Sequence, residues 1–145
     1  MISLDKFEYI KCKYYYCSSW AVWAEQGDSP KSNIGDLSVL DPKLNTNLLS
    51  ELNPNIILVG LNISSASGGS VEPFRNFHSA SPRHMDYKIR YATQNTPLWG
   101  AYMTDIIKNF RERVSVKVSK YLRDNREVET ENVSFFRNEL HDIGA

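Results

Sequence analysis

The hydrophobic pattern is clearest at residues 53–62, where Ile56, Ile57, Leu58 and Val59 run without a break between Pro54 and Gly60. A short continuous apolar run, partly β-branched and bounded by turn formers, reads as a parallel strand covered on both faces. Asn62 then falls at the carboxyl end of that strand, where open α/β sheets gather their functional groups. A second run, residues 98–104, predicts another strand ending in Thr104 and Asp105. Asp105 is open to a catalytic or a capping role, and we take the cap, of a helix starting at Ile106 and Ile107.

Around these runs the period becomes helical. Asp41 and Pro42 provide an N-cap and a first-turn residue for a helix reaching Leu52, with Leu44, Leu48, Leu49 and Leu52 on one face. Residues 86–93 predict a helix. Val114, Val118, Tyr121 and Leu122 have helical spacing, whereas Val114, Val116 and Val118 alternate as a strand would. The last segment predicts a helix capped by Asn132, with Phe135, Phe136, Leu140 and Ile143 on its apolar face and Gly144 as its stop. Residues 7–22 are rich in aromatics and fit either strands, at 14–16 and 20–23, or an irregular packed layer. Gly27, Asp28, Ser29 and Pro30 mark a loop.

Strands alternating with helices predict an α/β domain with a mostly parallel sheet, one domain over residues 1–145. Two strong strands are few for that class. Either the N-terminal segment adds strands, or the domain continues past Ala145; we take the second as the expectation.

Composition narrows the function classes. Hydrophobic residues make up 41% and aromatics 12% of the 145 residues, a globular balance. Net charge is zero and the pI about 6.8, so no global field draws nucleic acid or an anionic membrane. The charge is uneven, however. Lys108, Arg111, Arg113, Lys117, Lys120, Arg123 and Arg126 face only Glu112 and Asp124 in the same stretch. Such a run is either a solvated helix face or a phosphate-contacting one.

Cys12 and Cys17 match no metal framework and form no disulfide scaffold. His84 and His141 have no companion at ligand spacing. Asp5, Lys6 and Glu8 interrupt any leader-like apolar core, and no run approaches membrane-spanning length. The expectation is a cytoplasmic protein without membrane attachment. Dinucleotide, P-loop and nucleophile-elbow motifs are absent from the sequence, and no cofactor is implied.

One constellation stands out. Gly60-Leu61-Asn62-Ile63-Ser64 closes the first strand, Pro73-Phe74 and Asn76-Phe77-His78 follow, and Leu98 to Asp105 forms the second strand. Together these residues resemble the uracil-DNA glycosylase superfamily, and within it the mismatch-specific uracil/thymine glycosylases, whose first motif reads G-I-N-P-G. The resemblance covers roughly residues 53–105 and, more loosely, the terminal helix.

It implies a three-layer sandwich with DNA as partner. It also implies hydrolysis of an N-glycosidic bond on a base flipped out of the stack. Asn62 would hold the attacking water. Gly60, Leu61 and Ile63 would contact the base, which Phe74, or alternatively Phe77, would stack upon, with His78 nearby. Ser64 and Ser65 would allow close approach, and Arg75, Lys108, Arg111, Lys117 and Lys120 would meet phosphates.

Two departures accompany the likeness. Ile63 stands where the family motif has proline, and the family's late DNA-pinching loop has no counterpart before Ala145. The alternative is therefore a non-catalytic nucleic-acid- or protein-binding member of the same fold. A second copy or a partner protein completing the sheet is a further expectation.

Overall fold

The computed structural model describes residues 1–63 and 72–144. The order is α1 (Leu4–Tyr14), β1 (Ser18–Trp20), a 3-10 turn (Leu37–Leu40), α2 (Leu48–Glu51) and β2 (Asn53–Asn62). It continues with α3 (Asp86–Thr93), β3 (Ala101–Ile107), α4 (Ser115–Asp124) and α5 (Arg126–Ile143). The described residues thus form a mixed α/β structure of five helices and three strands.

Helix α1 begins at Ser3, whose side chain accepts the Lys6 amide at 3.2 Å. Phe7, Ile10 and Tyr14, spaced three and four apart, are buried. The aromatic segment therefore divides into a helix, which the sequence reading did not foresee, and the short strand β1.

The sheet order is β1-β3-β2. β3 runs parallel to β2 and antiparallel to β1, which makes the sheet mixed. On one side of it Tyr102 and Ile57 pack with Phe7, Ile10 and Tyr14 of α1 and Ile143 of α5. On the other, Met103, Ile56 and Leu58 pack with Tyr87 and Ile89 of α3.

The most apolar run is not the centre of this sheet. β2 is an edge strand, with Val59 48% and Leu61 47% exposed, so the expectation of two covered faces is corrected. β3 takes the centre and is buried almost throughout. Continuous apolarity cannot tell an edge from a centre; here the polar Thr104 and Asp105 lie inside because both find hydrogen-bond partners.

Asp105 consequently caps no helix: the strand continues through it to Ile107. Asn132 is not a cap either. α5 starts six residues earlier, and Asn132 lies buried within it, accepting the Lys108 amide at 2.7 Å and donating to Asn109 Oδ1 at 2.6 Å. The helix expected from Asp41 shrinks to the single turn α2, while Asp41 receives the Lys43 amide in a local turn. α3 has its expected bounds, residues 115–124 are helical, and Gly144 ends α5 at φ +93°. Among the described residues no helix is long and apolar enough to cross a membrane.

Candidate functional site

Where β2 and β3 end, the strands open onto a cavity of about 620 Å³. Asn62, Phe77 and Asp105 line it, together with Asn76 and Asp86. The arrangement starts from register. Gly60 pairs with Asp105 across the parallel strands, and Asn62 pairs with Ile107 two residues further on. A Cβ on Gly60 would collide with Asp105 Oδ1. The glycine is therefore what lets a carboxyl group lie over β2.

Asp105 is buried at 4% exposure. Its Oδ2 accepts from Asn76 Nδ2 at 2.9 Å, whereas Oδ1 accepts from no described residue. Burial pushes the carboxyl up to about 6; Asp86 and Glu139 push the same way, while the Asn76 hydrogen bond and Lys108 oppose them. Asp86, at the start of α3, is also raised by burial and accepts the Ser79 amide at 2.8 Å.

Asn62 is held by its nitrogen. Nδ2 donates to the carbonyls of Glu112 at 2.7 Å, Phe110 at 3.2 Å and Ile63 at 3.2 Å. Those acceptors identify the amide orientation, because only the NH2 group can donate to carbonyls. They also leave Oδ1 as the atom available to a ligand or water, since no described residue donates to it.

Phe77 reaches the cavity through an unusual backbone. Its φ is +67° and that of Phe74 is +64°, left-handed values that are rare for bulky residues. Phe74, however, is 1% exposed and packs on Phe7 with ring centroids 5.5 Å apart. It belongs to the core and does not line the cavity.

The other sequence-derived site residues separate in the same way. Ile63 lines the cavity but is itself buried, and its amide donates to Ile107. Leu61 is exposed and is not among the lining residues. His78 is fully buried beside Trp23, with Nε2 donating to Trp20 O at 3.3 Å; burial lowers it to about 3, so it stays neutral. Arg75 lines the cavity while bonding Gly35 O at 2.7 Å and pairing with Glu72 at 2.8 Å. Ser64 and Ser65 lie outside the described residues.

The basic run divides into three. Lys108 is buried and forms a 2.8 Å ion pair with Glu139, which also accepts from Tyr102 Oη at 2.7 Å and Thr104 Oγ1 at 2.8 Å. It is no phosphate-facing cation. Arg111 is exposed on the cavity wall, as are Arg83 and Arg113. Lys117 and Lys120 lie exposed on α4, away from the cavity lining.

Asn76, Asp86 and Arg83 are among several lining residues to which the sequence assigns no site role. Nothing in periodicity or spacing singles them out. Asp105 is visible as a polar group ending an apolar run, but the sequence reads it as the cap of a helix starting at Ile106, whereas the strand runs on to Ile107.

Comparison with protein families, curated proteins and solved structures found no match for this chain.

Proposed function

We propose that the cavity takes a nucleobase and that the chain is a cytoplasmic, base-excising N-glycosylase of the uracil-DNA glycosylase type, built as a three-layer α/β sandwich. The observation that carries this reading is the convergence of Asn62, Phe77 and Asp105 at the carboxyl ends of the parallel strand pair. A flipped base needs a stacking surface and groups that read its edge. Phe77 supplies the first, in place of the core residue Phe74. Asp105 Oδ1, when ionised, accepts an N–H from the edge. Arg83 and Arg111 stand at the wall, where flanking phosphates are neutralised.

Asn62 Oδ1 holds the water that attacks the sugar carbon. An amide oxygen orients a water but takes its proton poorly. The rate therefore rests on cleavage of the sugar–base C–N bond with the base departing as an anion. As the water adds to the sugar carbon, its proton passes to solvent and the base anion is protonated in turn. The Asn62 nitrogen, fixed by three carbonyls, keeps the oxygen aimed without further reorganisation.

One observation favours the non-catalytic reading: two of these bonds, to Phe110 and Glu112, make Asn62 a tether for the segment after β3, a sufficient structural reason for an asparagine there. In either reading the outer edge of β2, unpaired among the described residues, is where a second copy or a partner adds a strand.

The experiment is base release from single- and double-stranded oligonucleotides carrying uracil, hypoxanthine or a G·T mismatch. Release by the wild type, lost in Asn62→Ala with binding retained and lost together with affinity in Asp105→Ala, supports the glycosylase. Binding without release from any substrate leaves the nucleic-acid-binding module. Neither binding nor release removes both.

A further inference from the structure

We propose that Asn76 is a positioning residue that fixes the orientation and ionisation of Asp105, so that occupation of the cavity is linked to release of a proton. The inference rests on the nucleobase-cavity reading and adds a mode of regulation to it.

The geometry is specific. Asn76 Nδ2 divides its two N–H groups between Cys17 O and Asp105 Oδ2, both at 2.9 Å. One bond ties the amide to the core beside β1, and the other holds one carboxylate oxygen. The second oxygen, Oδ1, lies against Gly60 at the cavity lining and accepts from no described residue. A carboxyl group clamped in this way can offer only one atom to a ligand.

The backbone that presents Asn76 is held from several sides. It lies between Phe74 and Phe77, both at positive φ. The Phe74 amide donates to Tyr15 O at 3.0 Å, the His78 amide donates to Arg75 O at 3.0 Å, and Trp23 Nε1 donates to Phe77 O at 3.2 Å. Bulky residues persist in such conformations only where surrounding contacts over-determine them. Here the contacts deliver Asn76 and Phe77 together to the cavity.

The charges around Asp105 come from every packed element. Lys108 follows it at the end of β3 and is neutralised by Glu139 of α5. Asp86 faces it from α3, Cys17 and Tyr16 from the segment before β1, and Arg75, His84, Arg83, Arg111 and Arg113 share the cavity. Burial disfavours the anion, and the Asn76 bond is the largest influence sustaining it. With Oδ1 free, a ligand N–H adds a second donor to the anion alone. Binding then draws the group towards ionisation, and a protonated Asp105 gives up its proton to solvent.

The test is carboxyl-carbon NMR titration of Asp105 in the full chain without ligand, in the wild type and in Asn76→Ala. The midpoint is expected to rise by about one pH unit in the variant, a tenfold change in the ionised ratio at fixed pH. In the wild type the Asn76 side-chain amide resonances should move with the same midpoint, which requires no substitution. Affinity for a uracil-containing oligonucleotide should then fall below that midpoint, and the fall should begin at higher pH in Asn76→Ala.

An unchanged Asp105 midpoint in folded Asn76→Ala overturns the proposal. So do Asn76 amide resonances that ignore the titration. The titration involves no turnover, so a chain that releases no base but shows this coupling loses the glycosylase reading and keeps the proton link.

Discussion

Gly60 and Asp105 are register partners on parallel strands, and the Asp105 carboxylate fills the place where a residue-60 side chain would begin. The two positions are thus one feature: the absence of a side chain on the edge strand is what admits a buried acid on the central one. Phe77 lies beside the same spot, so the pair also sets how closely an aromatic surface can approach the strand.

Gly60→Ala should therefore destabilise the protein by about 1–3 kcal/mol, the usual cost of overpacking, and displace the carboxylate. In an Asp105→Ala background the same substitution should cost much less, because the obstructing atoms are gone. Urea denaturation of the four proteins measures the coupling. Additive effects would mean that the contact is relieved by backbone movement.

The buried Lys108–Glu139 pair makes a different prediction. Truncating one partner leaves the other charge uncompensated inside the protein, at about 3–5 kcal/mol. Lys108→Met alone and Glu139→Leu alone should each be strongly destabilising, and the double variant should recover a large part of the loss. The readout is again the denaturation midpoint. Glu139→Leu should be the harsher change, since Tyr102 and Thr104 also lose their acceptor.

Two buried groups tilt stability with pH in opposite directions. Asp105 titrates at about 6 in the folded state against 3.8 for the ordinary group, so the native state holds the extra proton between those values. Its contribution is most favourable below about 4 and is lost as pH rises through 6. Asp105→Asn should stabilise the protein at pH 7–8 by on the order of 3 kcal/mol. That advantage should vanish below pH 4.

His78 acts conversely. It titrates at about 3 against an ordinary 6.5, so its contribution is present above 6.5 and is lost progressively towards 3. His78→Gln should flatten the acid limb of a thermal-melting series across pH 3–7. An unaltered limb would show that carboxylates such as Asp142, which Lys13 and Tyr14 hold at about 2, dominate acid unfolding.

Arg83 and Arg111 approach the cavity from separate segments, while Lys108 is enclosed. Binding of a single-stranded oligonucleotide should weaken in Arg83→Ala and Arg111→Ala. In each variant the slope of log affinity against log salt should fall by about one. Lys120→Ala, on the exposed face of α4, should leave that slope unchanged.

Local chemistry was legible in the sequence: the strand containing Ile56–Val59, the bounds of α3, the stop at Gly144, and Asn62 at a strand end. These depend on neighbours a few residues apart, through turn residues and side-chain periodicity. Which strand is central, and which side chains converge, depends on partners tens of residues away. Asp105 became a buried strand residue through Asn76 and Gly60, and Lys108 became a core cation through Glu139. Phe74 and Phe77, three residues apart, parted company because one packs on Phe7 and the other reaches the cavity. A polar residue's place is decided by whether the folded chain brings it a partner, and only tertiary structure supplies that partner.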